Sequence, residues 1–502
     1  MERSCGMKEK ILKGTIFLTA AGILTRIIGF LYRIFLANTL GETELGIYQL
    51  VFPVYSICFT LYAAGLQTAV SQLISNPHYK YSKKVIKTGI LLSLCVSVSL
   101  SGLVFVFSDY ISLRFLFAPK TAPLLRILAL IFPFCGITSM INGYFYGLRE
   151  AKVPAITQMV EQLFRVGFVF LIYASHICEF SSKVAVAGLI AGELCSNLYN
   201  LVSLKRTRQK ETGVLKLSTA KIASAIVKQA VPLSGTKLVI SLLASLESVL
   251  IPIMFMKYGL SHDSSLALYG VITGIVLPFI LFPGTITNSL SVLLLPEISK
   301  ADNENNRDKI QHTTRITIKY SLLLGCMATA VFLNYGTSIG TLFFHSENAG
   351  RLLTLLAVIC PFIYVSTTLA SIINGLSRTH ITFRNTVSGL LVRILFLIFV
   401  TPKYGVYGYL LGLLLSQMII SILDSVYLIR NKYTQIDLGK WLILPAALFT
   451  SSIYLFRLMA QKICLSLHIE KDIFLLISIV PAFFVSFYIF HALGLISRRD
   501  FS

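Results

Sequence analysis

Between Lys10 and Leu40 the chain is almost wholly apolar, and the exceptions fall in one line. On a helix, Thr15, Thr19, Gly22, Arg26, Gly29 and Arg33 recur every three or four residues and therefore share a face. At about 1.5 Å per residue the segment is longer than a hydrocarbon core of about 30 Å, so it predicts a membrane span. A stripe of small and cationic residues on such a helix must face protein or a water-filled cavity. An arginine at mid-membrane otherwise costs about 2.5–3.5 kcal/mol even on the insertion scale. Arg33 can reach a membrane surface by extending its side chain, whereas Arg26 lies about two turns deeper.

The rest of the chain repeats this character. Of 502 residues 55% are hydrophobic and 13% charged, against about 25% charged in soluble domains, which predicts a polytopic membrane protein. The first apolar segment exceeds a signal peptide in length and lacks a small-residue cleavage site, so it is expected to stay as a span. The net charge of +22 raises nucleic acid as a partner, but its distribution excludes that reading. Most Lys and Arg lie in alternate connections and at the termini, as the positive-inside rule requires. The nine cysteines contain no C-x-x-C pair and the eight histidines no metal-ligand spacing, so no metal, cofactor or disulfide framework is expected.

Fourteen spans are expected, near 11–38, 47–74, 88–108, 124–147, 154–174, 184–204, 229–256, 266–296, 317–344, 352–376, 385–401, 405–429, 441–460 and 473–496. The basic connections are Lys80–Lys87, Arg149–Lys152, Lys205–Lys228, Lys300–Lys319, Arg378–Arg384 and Arg430–Lys440. They fall on the side of both termini, which places both termini in the cytoplasm of a multi-pass plasma-membrane protein. The opposite side has short turns such as Asn38–Gly46, Ser175–Lys183 and Pro402–Tyr404.

An internal repeat organises these spans. Leu124–Phe134 is echoed by Leu352–Phe362, and at the same offset Gly147-Leu148 matches Gly375-Leu376 and Arg165 matches Arg393. Gly188 and Gly192 pair with Gly408 and Gly412, and Lys13 and Tyr48 correspond more weakly to Lys228 and Tyr269. Two six-span lobes, 1–212 and 213–430, are expected to be related by a pseudo-two-fold axis, with 431–502 as a C-terminal helix pair. Such bundles make a cleft where transporters place substrate, and a monomer suffices to form it. Pro278 and Pro283, followed by Thr285, Thr287, Asn288, Ser289 and Ser291, mark span 8 as the clearest bending point.

Charged residues inside the spans are the candidates for function. The cations are Arg26, Arg33, Lys237, Arg165, Arg393 and Arg457; the anions are Glu161, Glu193, Glu247 and Asp424. Glu161 and Arg165 are spaced to pair on one helix face. Asp424, near a span end, reads as a solvated or capping carboxylate. An excess of buried cations suits a phosphate or pyrophosphate, which arginine meets with charge-assisted bidentate hydrogen bonds. The expected site is therefore an anionic head-group site built from Arg26, Arg33, Lys237, Arg165 and Arg393, with Glu161, Glu193 and Glu247 as coupling or structural carboxylates. A cation-coupled multidrug exporter is the alternative, in which Glu193 or Glu247 would hold the cation. An enzyme acting on lipid-linked sugar would need a larger external loop and a catalytic constellation, and neither is present in the sequence.

Leu24–Arg33, Leu45–Tyr55, Gly143–Leu148 and Gln158–Arg165 together resemble the stage V sporulation protein B family, within the multidrug/oligosaccharidyl-lipid/polysaccharide exporter superfamily. The resemblance implies a fourteen-helix, two-lobed, alternating-access fold. It also implies export of an undecaprenyl-pyrophosphate-linked sugar, a lipid II-like peptidoglycan precursor or a polysaccharide repeat unit, for the cell wall or spore cortex. Related lipid II flippases have a Ser-Arg-x-x-Gly-Phe pattern in span 1. Thr25-Arg26-Ile27-Ile28-Gly29-Phe30 matches it with Thr for Ser, which gives Arg26 a head-group role by similarity.

Overall fold

The computed structural model describes residues 2–76, 82–177, 179–207, 218–467 and 477–492. The protein is an all-α polytopic membrane protein, and no strand occurs among the described residues. In chain order the helices are α1 (Glu2–Gln49), α2 (Phe52–Ser75), α3 (Lys83–Val106), α4 (Pro119–Ala129), α5 (Phe132–Gly147), α6 (Lys152–Ser175), α7 (Ser182–Arg206) and α8 (Thr219–Tyr258). They continue as α9 (His262–Leu281), α10 (Gly284–Asn303), α11 (Arg307–Phe344), α12 (Glu347–Gly375), α13 (Thr379–Phe399), α14 (Val406–Arg430), α15 (Gly439–Cys464) and α16 (Ile479–Ala492). Among the described residues twelve helices are long and apolar enough to cross a membrane, and α4 with α5, bent by 48°, makes up to thirteen. The expected span 14, 473–496, lies partly outside the described residues.

Two boundaries differ from the sequence reading. The expected turn Asn38–Gly46 is helical: α1 runs through to Gln49 and breaks only at Gly41, whose φ of 76° is open to glycine because it lacks a Cβ. The expected single span 266–296 is two helices, since α9 ends at Leu281 and α10 begins at Gly284. Pro283 lies between them; its ring and missing N–H stop the hydrogen-bond ladder there. Three of these helices also contain one-turn π segments, Thr60–Ala64 in α2, Val271–Val276 in α9 and Gly439–Ile443 at the start of α15.

Packing divides the chain into two units. The first comprises 1–253 with 262–270, the second 254–261 with 271–502. In the first unit Leu66, Val70, Leu73 and Ile74 of α2 form a core with Val85 of α3, Ile141 and Phe145 of α5, and Ile222 and Ile226 of α8. The α2–α5 approach is set by glycine, because a Cβ at Gly143 or Gly147 would fall 2.6 Å from the carbonyl oxygens of Gln67 and Ser71. In the second unit Ile298 of α10 packs with Ile318 and Leu322 of α11, Leu369 and Ile373 of α12, Leu428 of α14 and Trp441 of α15. There Gly375 of α12 lies against α10, its Cβ position 3.2 Å from Leu295 O. Each unit thus contains the same glycine-mediated pairing, with Gly147 and Gly375 in matching places.

Candidate functional site: cations and carboxylates within the spans

The first seam lies between α1 and α6. Gly29 faces α6 so closely that a Cβ would sit 3.3 Å from Gln162 Nε2. Arg26 and Arg33, one turn before and after Gly29, are exposed from the protein. Arg33 is near enough to Tyr48 and Arg165 to interact with both electrostatically. Arg165 pairs with Glu161, and its Nη1 donates to Gln162 Oε1 at 3.3 Å. The structure therefore brings Arg33, Glu161 and Arg165 together on one seam, with Arg26 about two turns back along α1. Tyr48 and Gln162 belong to the same group; the sequence reading named Tyr48 only as a repeat position and Gln162 only within the Gln158–Arg165 motif, with no role at the site.

A second group lies behind Arg165. α7 reaches α6 through small residues: a Cβ at Gly192 would be 2.5 Å from Glu161 O and 3.1 Å from Arg165 Cβ. This contact carries Glu193 inside, where it is 5% exposed and its Oε1 has no hydrogen-bond partner among the described residues. Its electrostatic neighbours are Glu161 and Arg165, with Thr138 and Cys135 beside it. Asn197, one turn on, donates from Nδ2 to Phe134 O at 2.6 Å and Thr138 Oγ1 at 3.0 Å, tying α7 to α5. Two carboxylates thus share the field of one arginine.

Lys237 sits elsewhere in the first unit. Gly65 in α2 lets α8 come so near that a Cβ there would collide with Ser234 Oγ and lie 2.8 Å from Ala230 O. The stripe Ser234, Lys237, Ser241 and Ser245 of α8 consequently lies along α2. Ser241 Oγ meets Thr60 Oγ1 at 3.0 Å, Ser245 Oγ donates to Pro53 O at 3.0 Å, and Lys237 Nζ donates to Ala64 O at 3.1 Å. Ala64 ends the π segment, a feature often found where a helix serves a function. Lys237 lines a cavity of about 360 Å³ with Gln67, Thr68, Ser71 and Tyr146, polar groups the sequence reading missed. The signal was present as Gln67, Thr68, Ser71 and Gln72 inside one span. Glu247, further along α8, is buried.

In the second unit Arg393 is half-buried on α13, and α14 closes on that helix through Gly412, whose Cβ position is 3.7 Å from Arg393 O. Gly192 against Arg165 and Gly412 against Arg393 are the same contact built once in each unit. The reading of Asp424 as a solvated or capping group is overturned. It is fully buried, its Oδ1 accepting from Asn385 Nδ2 at 2.7 Å and its Oδ2 unpartnered among the described residues. The close approach of α13 and α14 at Gly389 covers it. No cluster of metal-ligating side chains occurs among the described residues.

The family model described as polysaccharide biosynthesis protein matches residues 11–277, and the one described as lipid II flippase MurJ matches 275–485. Stage V sporulation protein B of Bacillus subtilis is 24% identical over 432 residues, covering 83% of each chain. The structure of a lipid II flippase MurJ in an inward closed conformation superposes with TM-score 0.72 at 16% identity, covering 95% of this chain and 99% of that one. An inward-facing multidrug resistance MATE family transporter gives TM-score 0.62 at 16% identity, over 84% of this chain and 98% of its own. With its family model spanning more than half of the length, the chain belongs to the polysaccharide biosynthesis protein family.

Proposed function

We propose that the protein moves an undecaprenyl-pyrophosphate-linked sugar outward across the plasma membrane by alternating access of two six-span lobes, 1–212 and 213–430, with 431–502 as an appended helix pair. The observation that carries this reading is the cationic α1–α6 seam, where Arg33 and Arg165 are electrostatic neighbours and Gly29, one turn along α1 from Arg26, packs on Gln162. Guanidinium groups in a low-dielectric setting favour a pyrophosphate strongly and a neutral polyprenol hardly at all. Lys237, one of whose protons is engaged by Ala64 O, has donors left for a second phosphate or for sugar hydroxyls. Arg393 is assigned the same role from its own unit, and both termini are placed in the cytoplasm by charge bias.

The test is native mass spectrometry on the purified protein. Undecaprenyl-pyrophosphoryl sugar, undecaprenol and a cationic dye are offered to wild type and to Arg26→Ala. Retention of the pyrophosphoryl lipid alone, lost in the variant at equal protein yield, is the expected result. Equal binding of the phosphorylated lipid by the variant would overturn the assignment of Arg26. A second reading, a cation-coupled drug exporter, draws on the buried Oε1 of Glu193, which has no hydrogen-bond partner among the described residues. Ethidium efflux that survives Arg26→Ala but is lost in Glu193→Gln would favour it.

A further inference from the structure

The second unit contains a cavity of about 590 Å³ that the transport reading does not use. It opens where α11 begins, α14 ends and the 431–438 connection leads into α15. His312, Arg315 and Lys432 line it with the amides of Gln311 and Gln435, and Asp308 is the one carboxylate in its lining. Among the described residues no carboxylate lies within ion-pair distance of His312, Arg315 or Lys432. The backbone that carries Lys432 and the guanidinium of Arg315 are each held by a neighbour. Gln311 Nε2 donates to Lys432 O at 2.7 Å, and Lys432 adopts a left-handed φ of 58° that turns the connection back over α11. The Arg315 guanidinium lies over the Trp441 ring, 5.7 Å from its centre, within cation–π range.

The depth of this cavity can be read from its own helices. Beyond Lys319, α11 carries no charged residue to its end at Phe344, and beyond Trp441, α15 carries none until Arg457. The cavity therefore sits where apolar helices meet their charged flanks, the level of lipid head groups, which is also where tryptophan concentrates. Ile429 in its lining is exposed, as are Leu438 and Ile443 on the adjoining connection and helix. We propose that this cavity binds the phosphate-bearing head group of an anionic membrane lipid, with Arg315, His312 and Lys432 on the phosphate and the exposed apolar residues against its acyl chains. A soluble phosphate would satisfy the cations equally well but would leave Ile429, Leu438 and Ile443 without a partner. The volume falls within the range of small-molecule sites, and basic recesses between membrane helices on the cytoplasmic side suit such head groups.

Trp441 is the only tryptophan in the chain, so its fluorescence reports on the site directly. The full-length protein in neutral detergent is titrated with short-chain phosphatidylglycerol, short-chain phosphatidylcholine and inorganic phosphate. Wild type is compared with His312→Gln/Lys432→Gln, which leaves Arg315 and the reporter in place. Both positions are exposed, and the single variants carry the test should the pair fail to fold. The expected result is a saturable change with phosphatidylglycerol, weaker by about tenfold or more in the variant, and none with phosphatidylcholine. Equal responses to the two lipids, or an unchanged titration in the variant, would overturn the proposal. A response to inorganic phosphate as tight as that to phosphatidylglycerol would overturn the lipid as its source.

Discussion

At the scale of single residues, the charged groups inside the spans differ chiefly in what surrounds them. Glu161 and Arg165 hold each other on one helix face, half-buried. Removing one partner leaves a charge poorly compensated, so Glu161→Gln is expected to lower stability by about 1–3 kcal/mol. Combining it with Arg165→Gln should cost less than the two singles added, which a double-mutant cycle of thermal melting checks. Strict additivity would mean that the pair contributes nothing. Asp424 is the opposite case, a carboxylate with one oxygen satisfied by Asn385 and the other enclosed. Asp424→Asn keeps an acceptor for Asn385 and sheds a buried charge, so it should melt at or above wild type. Asp424→Leu strands the Asn385 amide and should lose about 1–3 kcal/mol in the same assay. The spacing of Glu161 and Arg165 was legible in the sequence because helix geometry alone sets it. The burial of Asp424 was not, because it depends on how closely a second helix approaches.

At the scale of elements, glycine decides which helices can touch. A Cβ at Gly46 would collide with Leu266 O, and one at Gly192 would press on Glu161 O at 2.5 Å, both backbone atoms that cannot swing aside. Gly235 and Gly102 have nothing within 4 Å of the same position. Gly46→Ala and Gly192→Ala should therefore each destabilise by about 1–3 kcal/mol or more. Gly235→Ala and Gly102→Ala should be neutral or gain up to about 1 kcal/mol in helix propensity. Comparing the four by melting of the detergent-solubilised protein separates packing glycines from idle ones. The sequence repeat marked Gly192 and Gly412 as a pair, and each turned out to meet the arginine-bearing helix of its unit. It gave no hint of Gly65, whose role depends on a π segment and on the serine stripe of α8.

At the scale of the whole molecule, topology carries the most weight, since it determines which face of each unit meets which compartment. In a cysteine-depleted background, Glu179→Cys should react with a membrane-impermeant maleimide in intact cells, and Glu304→Cys only after permeabilisation. The reverse pattern would invert the protein and place the Arg315 cavity outside. The sequence by itself determined that the chain crosses a membrane many times as helices, because backbone groups in lipid must be satisfied within each segment. It also placed Arg33, Arg165, Glu193 and Lys237 within apolar, membrane-length helices. Only the tertiary structure decided that the 38–46 segment is a kinked helix, that the bend expected in span 8 is a full break at Pro283, and that Glu193 and Asp424 are enclosed. It also gave Lys237 a partner in Ala64 O and a place in a cavity wall with Gln67, Thr68, Ser71 and Tyr146. The physical reason is that hydropathy and helical period are properties of one segment, whereas burial, hydrogen-bond satisfaction and cavity walls arise between segments distant in the chain.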